Sequence, residues 1–118
     1  MYGVPKDLDL SRFHGSSLVQ IAIGEFQVQF HFEDDASIGV EGRWELFDAA
    51  GSLLDQAMEN SERDWYRVHG LLGHQVVGSE VEPPTSFTLV FDDGQRLKVY
   101  DDSGPYESFS IQPGDVFI

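Results

Sequence analysis

Two sets of side chains in this chain have chemistry that depends on where the fold puts them. His14 and His69 occur in matching settings, Arg12-Phe13-His14-Gly15 and Arg67-Val68-His69-Gly70. Histidine titrates near neutral pH and is a common metal ligand, so two imidazoles meeting near an axis could share a proton or hold an ion. A simpler use is favoured here: histidine before glycine at the end of a short helix meets the negative end of the helix dipole. Glu41 and Glu45 stand four residues apart, and Glu107 is the counterpart of Glu45 in the second half. Converging carboxylates act as acid and base when their environments split their pKa values. A hydrogen bond to a loop or to Arg43 needs no convergence, and that structural role is the expectation.

Other motifs add little chemistry. His31 lies between Gln29 and Glu33, and His74 stands apart; neither has the His-x-His or His-Glu-x-x-His spacing of a metal site. Asp92-Asp93-Gly94 and Asp101-Asp102-Ser103-Gly104 offer oxygen ligands without the terminal bidentate glutamate of a calcium loop, so solvated turns are expected. There is no glycine-rich phosphate loop, no Gly-x-Ser-x-Gly elbow and no dinucleotide fingerprint. No catalytic residue, cofactor or metal is expected.

Charge says more. The 118 residues carry 21 acidic and 7 basic side chains, a net charge of -14. A field of that sign repels phosphate backbones and anionic lipid, and a basic protein is the partner it suits. The carboxylates expected to bind it are Glu33, Asp34, Asp35, Asp92, Asp93, Asp101 and Asp102, because they cluster in turns. Without cysteine, an apolar leader or a membrane-length apolar run, the expectation is a single cytoplasmic domain spanning 1–118. Oligomeric state is left open.

The elements that must position these residues read mainly as strands. Phe26 to Phe32 alternates apolar and polar, which places Phe26, Val28, Phe30 and Phe32 on a buried face and His31 outside. Phe87, Leu89 and Phe91 take the same face in a later strand, after a Pro83-Pro84 loop. The acidic turns Glu33-Asp34-Asp35 and Asp92-Asp93-Gly94 then lead into Ile38 and Val40, and into Leu97 and Val99. Asp48 to Ser52 reads as a turn into a short strand at Leu53 and Leu54. One segment reads as helical: Ser61 caps it, Trp65, Val68 and Leu72 share a face, and Gly73 ends it in a left-handed conformation.

These elements repeat in order. Arg67 follows Arg12 by 55 residues, Phe91 follows Phe32 by 59, Tyr106 follows Trp44 by 62 and Gly114 follows Gly51 by 63, with the growth falling in loops. A tandem pair of units, 9–54 and 64–117, is expected, each a helical turn and an antiparallel meander. The fold class is mainly β (α+β): about eight strands in one barrel-like or two-sheet domain with pseudo-twofold symmetry.

Tyr2-Gly3-Val4-Pro5 through Leu10, Val40-Glu41-Gly42-Arg43-Trp44, Leu71-Leu72-Gly73 with Val76, and Tyr106-Glu107-Ser108 resemble a family of small acidic bacterial proteins without assigned function. Similar proteins occur beside secreted toxins, and the resemblance implies an immunity protein that neutralises one. It transfers no catalytic residue. Three classes of function follow: a protein-interaction module, a small-ligand-binding β barrel, and an enzyme using Glu41, Glu45 or the histidines.

Overall fold

The computed structural model describes residues 4, 8–24, 27–57, 67–101, 109–112 and 116–117. Ten strands lie among them: β1 (Leu18–Ile23), β2 (Val28–Phe32), β3 (Ser37–Val40), β4 (Trp44–Phe47), β5 (Leu53–Gln56), β6 (Val76–Glu82), β7 (Ser86–Phe91), β8 (Arg96–Tyr100), β9 (Phe109–Gln112) and β10 (Val116–Phe117). They form two five-stranded antiparallel sheets, in the orders β1-β2-β3-β9-β10 and β5-β4-β8-β7-β6. The barrel alternative is therefore corrected: among the described residues each sheet is open and ends on edge strands. The mainly β expectation stands.

Alternation decides which face is buried. Phe30, Phe32, Ile38 and Val40 point inward from the first sheet, and Trp44, Leu46, Phe87, Leu89, Phe91, Leu97 and Val99 from the second, all in one core. Phe30 and Trp44 meet edge to face across it, with ring centroids 6.2 Å apart. Phe26 lies outside the described residues. Pro83 and Pro84 form the turn between β6 and β7, and Asp92 to Gly94 the turn between β7 and β8, as their residue types require.

The helical component is smaller than expected. Among the described residues it amounts to three single 3₁₀ turns, Ser11–Phe13, Glu33–Asp35 and Val68–Leu71. The expected helix from Ser61 lies outside the described residues as far as Tyr66. In its remainder Val68 and Leu71 are buried, while Leu72 is exposed. A spacing of three puts side chains on one face of a 3₁₀ turn, where an α-helical face would have taken Leu72. Gly73 does adopt the left-handed conformation, at φ 85°. No helix among the described residues is long and apolar enough to cross a membrane.

The chain exchanges strands between the sheets. β1, β2 and β3 meander in the first sheet, then the β4–β5 hairpin leaves for the second, where β4 pairs with β8. β6, β7 and β8 meander in the second sheet, then β9 and β10 return to the first, where β9 pairs with β3. Both meanders begin with a register shift in the same place, between Leu18 and Gln20 and between Val76 and Gly78.

Where the meanders start, the sheets are joined by reciprocal hydrogen bonds. Gly15 N–H donates to Val76 O at 2.7 Å and Gly73 N–H to Leu18 O at 2.8 Å. Between them Ser17 and Gln75 face each other in an antiparallel bridge. Gly15, at φ 82°, and Gly73, at φ 85°, make these two bonds, and Gly70, the counterpart that Arg-x-His-Gly leads one to expect for Gly15, makes neither. Trp44 lies opposite Val99 and Phe109 opposite Val40; Tyr106, the expected counterpart of Trp44, is outside the described residues.

Candidate functional site

The Ser17–Gln75 bridge brings two acidic turns to one end of the molecule. Glu33 begins the β2–β3 turn; its N–H donates to Ser17 O at 3.1 Å and its Oε1 accepts Ser17 N–H at 2.9 Å. Asp92 begins the β7–β8 turn and does the same with Gln75: its N–H donates to Gln75 O at 2.8 Å, and its Oδ2 accepts Gln75 N–H at 3.2 Å. The residues Glu33, Ser17, Gln75 and Asp92 form a strip across the junction of the sheets. Asp35 follows, exposed, at φ 63°. Asp34 is placed in the same turn by its backbone, and its side chain is outside the description.

Asp93 and Asp48 extend this end. Asp93 accepts the N–H of Gln95 at 3.0 Å and also its side-chain amide. Asp48 accepts the N–H groups of Ala50 and Ser52 at 2.9 and 2.8 Å in the β4–β5 turn. The two turns touch: a Cβ built on Gly94 would lie 2.6 Å from that of Ala49. Asp101 does not join them. It follows β8 at the opposite end, where its N–H donates to Thr85 O at 2.8 Å. Asp102 lies outside the described residues.

His74 is the residue that sequence reasoning undervalued. Its Nδ1 is 2.6 Å from Asp92 Oδ1 and its Nε2 is 3.5 Å from Asp93 Oδ2. Hydrogen bonding from His74, and then from the Gln75 backbone, holds the Asp92 carboxyl below its ordinary pKa. The ligand atoms of the three residues lie within 4.8 Å of one another. Local spacing could not show this cluster, because the β6–β7 hairpin separates its members by 18 residues. Beside it an open groove of about 740 Å³ is lined by Asp48, Asp93 and Gln95 and by Arg67 and His69. His14 is instead paired with Ser79, Nε2 to Oγ at 2.8 Å, so the two histidines do not share a site.

The glutamates have separate surroundings too. Glu41 is exposed just beyond β3 and Glu45 lies on β4 in the other sheet; Glu107 is outside the described residues. Glu45 accepts the Tyr100 hydroxyl at 2.5 Å and lies 3.5 Å from Arg43, the partner its sequence position suggested. The Arg43 guanidinium stacks 4.0 Å from the Tyr100 ring centroid. Burial, followed by Glu45, pushes the Tyr100 phenol up to about 12. Asp55 was missed altogether: buried on β5, it accepts the N–H groups of Arg67 and Val68 at 2.7 and 2.9 Å and so caps the last 3₁₀ turn. Its signal was an acid following two leucines in a strand.

No protein-family model, curated protein or solved structure matches the chain.

Proposed function

We propose that this protein is a non-enzymatic binding module that receives a basic protein on its acidic end, through Glu33, Asp34, Asp35, Asp92 and Asp93, with Asp48 added. The observation that carries the reading is the bridge between Ser17 and Gln75, which sets the two acidic turns side by side in a chain of net charge -14. Their fields add there. Glu33, Asp48, Asp92 and Asp93 are tied to backbone N–H groups, so little side-chain freedom is lost on docking. A basic toxin neutralised in the cytoplasm is the partner that suits the family resemblance and the charge. The same reading takes the chain as two tandem units, 9–54 and 64–117, related by a pseudo-twofold axis at the Ser17–Gln75 bridge. The equal strand orders of the two sheets support it.

Attraction of this kind accelerates association and weakens with salt. The test is capture of partners from source cells at low and high salt, with Asp34→Lys and Asp93→Lys beside Glu41→Lys, which makes the same charge change at the opposite end. A basic protein recovered at low salt, lost with either aspartate variant and kept with Glu41→Lys is the expected result. Recovery indifferent to salt and to all three variants overturns the proposal. The groove between Asp93 and His69 then leaves small-ligand binding as the second reading.

A further inference from the structure

The two sheets leave four strands with an unpaired side among the described residues: β1, β10, β5 and β6. Such an edge is a template for another strand unless something blunts it. β10 has two described residues and β5 four, with Asp55 turned inward. β6 carries Glu80 and Glu82, both exposed. β1 carries only the register shift at its start, between Leu18 and Gln20. Its six residues, Leu18-Val19-Gln20-Ile21-Ala22-Ile23, include no charge and no proline, and Val19 and Ile23 are 56% and 43% exposed. The first strand position is already covered, since Leu18 bonds to Gly73 and His74. Among the described residues, the stretch left without a strand partner on this side runs from Val19, in the register shift, to Ile23.

The sheet face beside this edge carries no carboxylate, lysine or arginine either. Away from the core, Gln20 lies next to His31 and His31 next to Ser37; Ala22 lies next to Gln29 and Gln29 next to Gly39. In a chain with 21 acidic and 7 basic residues, a run of three strands with no outward carboxylate has a physical use. A second copy is a body of the same sign, repelled wherever carboxylates meet carboxylates. β1 is an edge it can approach without that cost. Self-pairing of β6 would bring Glu80 and Glu82 against their own copies.

We infer that two copies of this chain associate through β1, pairing antiparallel about a twofold axis near Gln20 and Ile21 and making the first sheets of both continuous. The antiparallel arrangement follows from the symmetry of a closed dimer, in which the same patch serves both partners. It also buries Val19 and Ile23, the exposed apolar residues of the strand.

The experiment is sedimentation velocity of the full chain over a concentration series, with Val19→Glu beside Val77→Glu. Val77 is 60% exposed within the register shift of β6, as Val19 is within that of β1, and both variants change the net charge alike. A wild-type dimer whose dissociation constant rises about tenfold or more with Val19→Glu and hardly moves with Val77→Glu is expected. Hydrogen exchange should show β1 amides gaining protection as concentration rises. Urea melts of each variant separate loss of pairing from loss of fold. Should Val19→Glu fail to fold, the exchange measurement on wild-type protein decides alone. A wild-type chain that stays monomeric at its solubility limit, a dimer equally weakened by both variants, or β1 exchange independent of concentration overturns the inference.

Discussion

Gly94 has no room for a methyl group. Its φ of 89° is a conformation that L side chains avoid, and an added Cβ would collide with Ala49 at 2.6 Å. Gly15, at φ 82°, has nothing within 4 Å of the same position. Gly15→Ala should therefore cost only the backbone strain, about 1 kcal/mol, and Gly94→Ala about 3 kcal/mol, since overpacking is added. Equal urea midpoints for the two variants would show that the turns do not touch. Asp92 makes a different prediction. Its carboxyl titrates lower in the folded protein than in the unfolded chain, chiefly because His74 hydrogen-bonds it. As pH falls the unfolded chain takes up this proton first, so the contribution is present above the unfolded pKa and lost as pH drops through the folded one. The stability difference between wild type and Asp92→Asn should be full at pH 6 and shrink steadily below about pH 4. Urea melts across that range measure it.

Among the elements, β2 was the most legible. Alternation from Val28 to Phe32 fixes which side chains face the core, because a one-residue slip would move all of them to solvent. Phe30 is fully buried against Trp44, while His31 is half-buried on the other face, hydrogen-bonded to Gln29 at 3.2 Å. Phe30→Ala should cost about 3–5 kcal/mol and His31→Ala under about 1 kcal/mol; chemical denaturation ranks them. The stretch before Gly73 was less legible, because apolar residues at 68, 71 and 72 fit either helical period. The buried Asp55 carboxylate decides for a short 3₁₀ turn by capping its first N–H groups. That contact joins residues 12 and 13 apart, so the sequence could mark Asp55 as a buried acid without showing which N–H groups it caps.

At the scale of the molecule, the order of strand signals was visible in the sequence and their partners were not. Alternation tells a strand which way to face, never which strand to pair with. Glycine before a strand was also a good guide, but Arg-x-His-Gly drew the match to Gly70, three residues short of the glycine that makes the bond to Leu18. The acidic turns could be named from sequence. Their meeting at one end rests on Ser17 and Gln75, 58 residues apart, which nothing local announces.

The exchange of strands also sets a schedule for synthesis. When the ribosome has released β1 to β5, the first sheet still lacks β9, and β4 has no β8 to lie against. The nascent chain must hold two incomplete sheets until β8 and then β9 and β10 emerge. Cut once between β5 and β6, the protein becomes two pieces that each need what the other carries. Fragments 1–60 and 61–118 should each lack a cooperative thermal transition alone and regain one when mixed, and circular dichroism would follow the rescue. A fragment that melts cooperatively by itself would mean that the exchange is dispensable. If the mixed pair refolds, this small domain is a natural split reporter, silent until two separately made polypeptides find each other.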